Sequence, residues 1–143
     1  MKMKRLQLAL ICSCVLFGFS ALAEEPLIRP QTQGEATFVN GVVGGDEQKA
    51  IQAMRAYYNL HLLFSIKGTG EYVSGVKVRI TNSNGNTIME SLSDAPMLFA
   101  KLKPGLYTVA VDRDGQVIRK TAMVTGNNHK VSLSFTWPQE RED

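Results

Sequence analysis

The stretch from Leu98 to Val124, LFAKLKPGLYTVAVDRDGQVIRKTAMV, decides the fold. Tyr107, Val109 and Val111 alternate with Thr108, Ala110 and Asp112, and after Asp114-Gly115 the return run sets Ile118, Ala122 and Val124 on one side. Alternation with a period of two buries one face of a strand and solvates the other. Asp-Gly between two such runs predicts a tight hairpin, because both central residues of that turn need a positive φ. Pro104-Gly105 breaks the chain just before the first run.

The same period recurs on either side. Leu60, Leu62, Phe64 and Ile66 alternate with His61, Leu63, Ser65 and Lys67, and Val76, Val78 and Ile80 alternate with Lys77, Arg79 and Thr81. Asn84-Gly85 marks a second hairpin turn, into Thr87 to Leu92, and Ala95-Pro96 precedes a short run around Leu98-Phe99. Val131, Leu133, Phe135 and Trp137 face inward on the last strand. Seven strands separated by turn signals predict a mainly β chain, a single seven-stranded, immunoglobulin-like β-sandwich.

One segment changes period. From Asp46 to Tyr58, Ile51, Met54 and Tyr58 stand at i, i+3 and i+7, with Ala50 and Tyr57 widening the stripe, so a short amphipathic helix is expected with Asp46 as its N-cap. The paired Tyr57 and Tyr58 are the candidate interaction surface, weighed against a role in the core. Glu24 to Gly45, rich in Pro, Gln and Gly, reads as a flexible lead-in in which Ala36 to Val39 is available as a short edge strand. Residues 138–143 read as a polar tail.

Lys2, Lys4 and Arg5, then the apolar run Leu6 to Phe19, then Ala21-Leu22-Ala23 have the layout of a secretory signal peptide over residues 1–23 with cleavage after Ala23. The apolar run is shorter than a spanning helix wants, so no stable membrane anchor is expected after cleavage, and the address is periplasmic or secreted. Cleavage removes three of the 16 basic residues and none of the 13 acidic ones, leaving a neutral chain. Nucleic-acid binding is disfavoured by that balance and by the lack of a basic cluster interleaved with aromatics. Cys12 and Cys14 leave with the leader, so stability must come from packing and not from a disulfide.

Tyr58-Asn59-Leu60, Gly70-Glu71-Tyr72 before Val76-Lys77-Val78, Asn84-Gly85, and Leu102-Lys103-Pro104-Gly105-Leu106-Tyr107 together resemble the carboxypeptidase regulatory-like domains, transthyretin (prealbumin)-like β-sandwiches found in small exported bacterial proteins. The resemblance covers about Gly45 to Trp137 and implies a domain over residues 46–137, helix plus sandwich, that binds or supports other proteins. It implies no established activity. A transthyretin-like hydrolase of hydroxyisourate depends on a C-terminal Tyr-Arg-Gly-Ser, whereas this chain ends Trp137-Pro138-Gln139-Glu140-Arg141-Glu142-Asp143, so that activity does not come with the fold.

No catalytic residues are identified. His61 and His129 are expected at outward positions without ligand-like spacing to an acid, and no metal or other cofactor is expected. Asp112-Arg113-Asp114-Gly115 and Asn82 to Asn86 carry oxygen donors followed by glycine, but neither reaches the bidentate glutamate of a calcium loop, and both fall where a hairpin must turn. No G-x-S-x-G or H-E-x-x-H occurs, and a mature chain without cysteine has no thiol nucleophile. The leading expectation is an exported, non-catalytic binding or accessory module whose partner is another envelope protein. A small-ligand or substrate-processing periplasmic protein is the first alternative. A structural envelope protein that self-associates into a homo-oligomer through its edge strands is the second.

Overall fold

The computed structural model describes residues 30–41, 45–126 and 129–140; the expected leader and its cleavage site, Cys12, Cys14 and the side chain of Asp46 lie outside the described residues. The chain is mainly β and folds as two sheets packed face to face. Its strands are β1 (Gln31–Gln33), β2 (Ala36–Gly41), β3 (Leu60–Ile66), β4 (Val76–Asn82), β5 (Thr87–Ser93), β6 (Met97–Lys101), β7 (Gly105–Arg113), β8 (Gln116–Val124) and β9 (Val131–Trp137). The first sheet has the order β1-β2-β6-β3-β9 and the second β5-β4-β7-β8. A helix, α1 (Gly45–Met54), tightens into a 3-10 turn over Arg55–Tyr57 before β3 begins.

The described residues thus form nine strands where seven were expected, and the two additions come from the supposedly flexible lead-in. Gly34, at φ 55°, opens a two-residue turn between Gln33 and Ala36, and β2 then pairs antiparallel along the whole of β6. Ala36 and Phe38 enter the core, while Val39 packs on the opposite face with Phe99 and Tyr58. A strand buried on both faces is held by its neighbours, so its local composition is a poor guide to its order.

The hairpins fall where turn chemistry places them. Asp114 and Gly115 both have positive φ, 51° and 87°, and join Arg113 to its partner Gln116. Asn82 Oδ1 accepts from the Asn84 and Asn86 N–H groups at 3.0 and 2.9 Å, closing the turn around Gly85. Inward positions of both sheets meet in one core containing Phe38, Leu62, Phe64, Ile80, Phe135 and Trp137, all at most 1% exposed. Full burial of a large apolar side chain contributes about 1.5–3 kcal/mol.

Three features fix the path of the chain. β3 and β9 pair in parallel from Leu60–Val131 through Ile66–Trp137, tying an early strand to the last. The Asn59 amide donates to Leu102 O at 2.8 Å and accepts from Leu102 N–H at 2.9 Å, fixing the chain as it leaves β6. Four residues upstream of its own ring, Tyr107 Oη donates to Lys103 O at 2.6 Å, a tyrosine-corner arrangement that holds the turn into β7. Among the seven strands from β3 onward, the first two lie in different sheets, unlike the immunoglobulin arrangement in which the first two strands share one.

Candidate interaction surface

The two candidate tyrosines part where the 3-10 turn ends, since Tyr57 is its last residue and Tyr58 is already extended at φ −118° and ψ 143°. Tyr58 is 6% exposed and packs with Phe99, ring centroids 6.4 Å apart, whereas Tyr57 is 73% exposed. The pair therefore presents one ring to solvent and gives the other to a small core beneath the helix, with Val39, Phe99, Ala50, Met54 and Met97.

The same cover explains a correction. His61 was expected to face outward, yet it is 5% exposed, because the outer face of β3 lies under the 3-10 turn that follows α1. Its Nε2 lies 3.1 Å from Tyr58 O and 3.2 Å from Arg55 O, so Nε2 carries the proton and donates to both, while Nδ1 accepts from Arg55 Nε at 3.3 Å. Burial pushes the imidazole below its ordinary 6.5; the two carbonyl contacts oppose this and the charges of Arg55 and Lys130 reinforce it. The folded state holds His61 neutral, so at pH values above 6.5 it exerts no pH-dependent effect. As pH falls through 6.5 toward the lower folded value, the unfolded chain takes up the proton first and stability is lost. Urea midpoints at pH 7.5 and 5.5 are expected to differ more for the wild type than for His61→Asn, with His61 contributing at most about 1.4 kcal/mol per pH unit. Equal pH responses would contradict this protonation scheme.

His129 is exposed ahead of β9, and among the described residues no three His, Cys, Asp or Glu side chains converge. Asp112 Oδ1 accepts from Gly115 N–H at 2.8 Å, so this oxygen serves the turn. A cleft of about 400 Å³ opens at one end of the sandwich beside Glu35, Ile88 and Tyr107. Three of its polar side chains are engaged: Lys103 Nζ meets Glu35 at 2.6 Å, and the Tyr107 hydroxyl is committed to Lys103 O.

Three of the four sheet edges, β5, β8 and β1, are poor templates for strand addition. The Gln33 side chain donates to Glu90 O at 2.8 Å and accepts from Glu90 N–H at 2.9 Å, filling the place a partner strand would take on β5. On β8, Lys120 stands on the inward side with Ile118 and Ala122, passes 5.3 Å from the Phe135 ring centroid and donates to Ser134 O at 2.6 Å. A strand added there would bury its ammonium group, and inward-pointing charge is a known deterrent to edge pairing. β1, only three residues long, offers little template.

The two broad faces differ. The first sheet carries α1 and its 3-10 turn over Val39, Phe99 and His61. On the second sheet the outward positions follow from register: Leu92 pairs with Lys77, Lys77 with Asp112 and Asp112 with Val117, while Leu106 pairs with Met123. Among the described residues, four of the six exposed large apolar side chains, Leu92, Leu106, Val117 and Met123, lie on this one face. Beside Val117 is a hollow of about 210 Å³ around Ala110, rimmed by Lys77, Arg79, Glu90, Asp112 and Arg119. Outward alternation made the individual positions readable from the sequence. The patch was missed because it depends on which strands are neighbours. No protein-family model matches the chain, and no curated protein matches it in sequence.

Proposed function

We propose that the chain is an exported, non-catalytic binding module of the bacterial envelope, a carboxypeptidase regulatory-like sandwich that holds a partner protein on the outer face of its second sheet. The reading is carried by the presence of Leu92, Leu106, Val117 and Met123 on one face that no described element covers. Interfaces combine apolar area with a polar and charged rim, and this face supplies both. The leader-like residues 1–23 support export, and the motif around Leu102 to Tyr107 supports the family resemblance. The guarded edges of β5 and β8 favour face-on docking over strand addition to the second sheet.

Native mass spectrometry of the protein released gently from the envelope of its own bacterium tests this. The expected species begins at Glu24 and carries a second polypeptide. The double variant Val117→Lys and Met123→Lys, both at exposed positions, is expected to fold as the wild type and to lose that partner. A bare wild-type monomer, or a partner retained by the double variant, would overturn the assignment of the face.

A further inference from the structure

The register of the second sheet sets Glu90 opposite Arg79, Arg79 opposite Ala110, and Ala110 opposite Arg119, a row that crosses all of its strands. Cross-strand neighbours of opposite charge stabilise a sheet and like charges repel. The row therefore reads acid, base, alanine, base, and the position at which a carboxylate would complete the alternation is the floor of the hollow. Arg79 Nη2 already meets Glu90 Oε1 at 3.2 Å. Asp112 has one oxygen on Gly115 N–H and stands opposite Lys77. Arg119 has no acidic partner among the described residues, and the rim carries three cations against two carboxylates.

We infer that the hollow over Ala110 is a receptor for a glutamate or aspartate side chain of the partner protein, seated between Arg119 and Arg79 with its neighbouring apolar residues resting on Val117. The inference rests on the reading of this face as the docking surface and specifies its chemistry. Arg119 provides a planar fork of N–H donors suited to bidentate contact with a carboxylate. A glutamate side chain fits within about 210 Å³ with room for its methylenes against Ala110. The apolar residues on either side lower the local dielectric and strengthen the ion pair. The expected recognition segment is thus an acidic residue bracketed by apolar ones.

The probes are two capped peptides, acetyl-Val-Glu-Val-amide and acetyl-Val-Gln-Val-amide, titrated into the isotope-labelled protein in low salt. The glutamyl peptide is expected to shift the backbone amides of Ala110 and Arg119, with a response about tenfold weaker for the glutaminyl peptide. Ala110→Glu supplies the missing carboxylate within the chain. It is expected to abolish the response and to melt higher than Ala110→Gln, a difference that fades as salt approaches about 1 M. Equal shifts from both peptides, equal shifts from inorganic phosphate, or no advantage of Ala110→Glu over Ala110→Gln would each overturn the inference. If these fail while the envelope partner is still lost from the Val117→Lys and Met123→Lys variant, the face stands and the carboxylate receptor falls. Loss of the partner assignment with a positive peptide titration gives the reverse.

Discussion

Phe38→Ala is expected to lower the unfolding free energy by about 3–5 kcal/mol, the range for truncating a fully buried phenylalanine and leaving a cavity. Phe38 has no exposed surface, stands opposite Ala100 where β2 pairs with β6, and belongs to the same core cluster as Leu62, Phe64 and Leu98. Its position in a stretch that reads as a lead-in makes the measurement decisive. If residues 31–41 were merely draped on the surface, the substitution would cost little. Urea denaturation followed by circular dichroism gives the difference from the midpoint, provided that the slope is unchanged. Tyr57→Ala, at a 73% exposed position, is the contrast and should stay within about 0.5 kcal/mol of the wild type. A loss below about 1 kcal/mol for Phe38→Ala would remove β2 from the core.

Trp137→Ala is expected to cost a similar amount, about 3–5 kcal/mol, by a different route. The indole is fully buried, lies 6.2 Å from Phe64 by ring centroids, and donates its N–H to Gln116 O at 3.0 Å, so one side chain links the last strand of the first sheet to the start of β8 in the second. Trp137→Phe keeps most of the apolar contact and forfeits the hydrogen bond, which is worth about 0.5–1.5 kcal/mol net. Its loss should fall between wild type and Trp137→Ala. Because Trp137 is the sole tryptophan, the wild type can be followed by fluorescence, while both variants require circular dichroism. Equal losses for Trp137→Phe and Trp137→Ala would show that the N–H contact to Gln116, and not the ring, carries the effect.

What was legible in the sequence follows from the range of each interaction. Turn chemistry is local, so Asn84-Gly85 and Asp114-Gly115 are found where they were expected. Alternation is local too, and Val76, Val78, Ile80, Tyr107, Val109 and Val111 all face the core. The strand offered at Ala36 to Val39 is present as β2, but inside the sheet and not at its edge, because it pairs with β6, whose residues stand far along the chain, and β1 then adds to it. His61 was misplaced because alternation presumes one wet face, and the helix end dries the other. The hollow around Ala110 belongs to the same class of feature: Arg79, Ala110 and Arg119 become neighbours only through strand register, which depends on how the sheet assembles.

The parallel pairing of β3 with β9 also bears on the timing of folding. Every residue from Leu60 to Ile66 has its partner between Val131 and Trp137, so the first sheet acquires its last neighbour only when the end of the sandwich has been synthesised. Contacts so distant along the chain form late and slowly, because the loop between them must close before any stabilisation is gained. A nascent chain of this design can pair its hairpins early but cannot complete its first sheet until Val131 to Trp137 has been made.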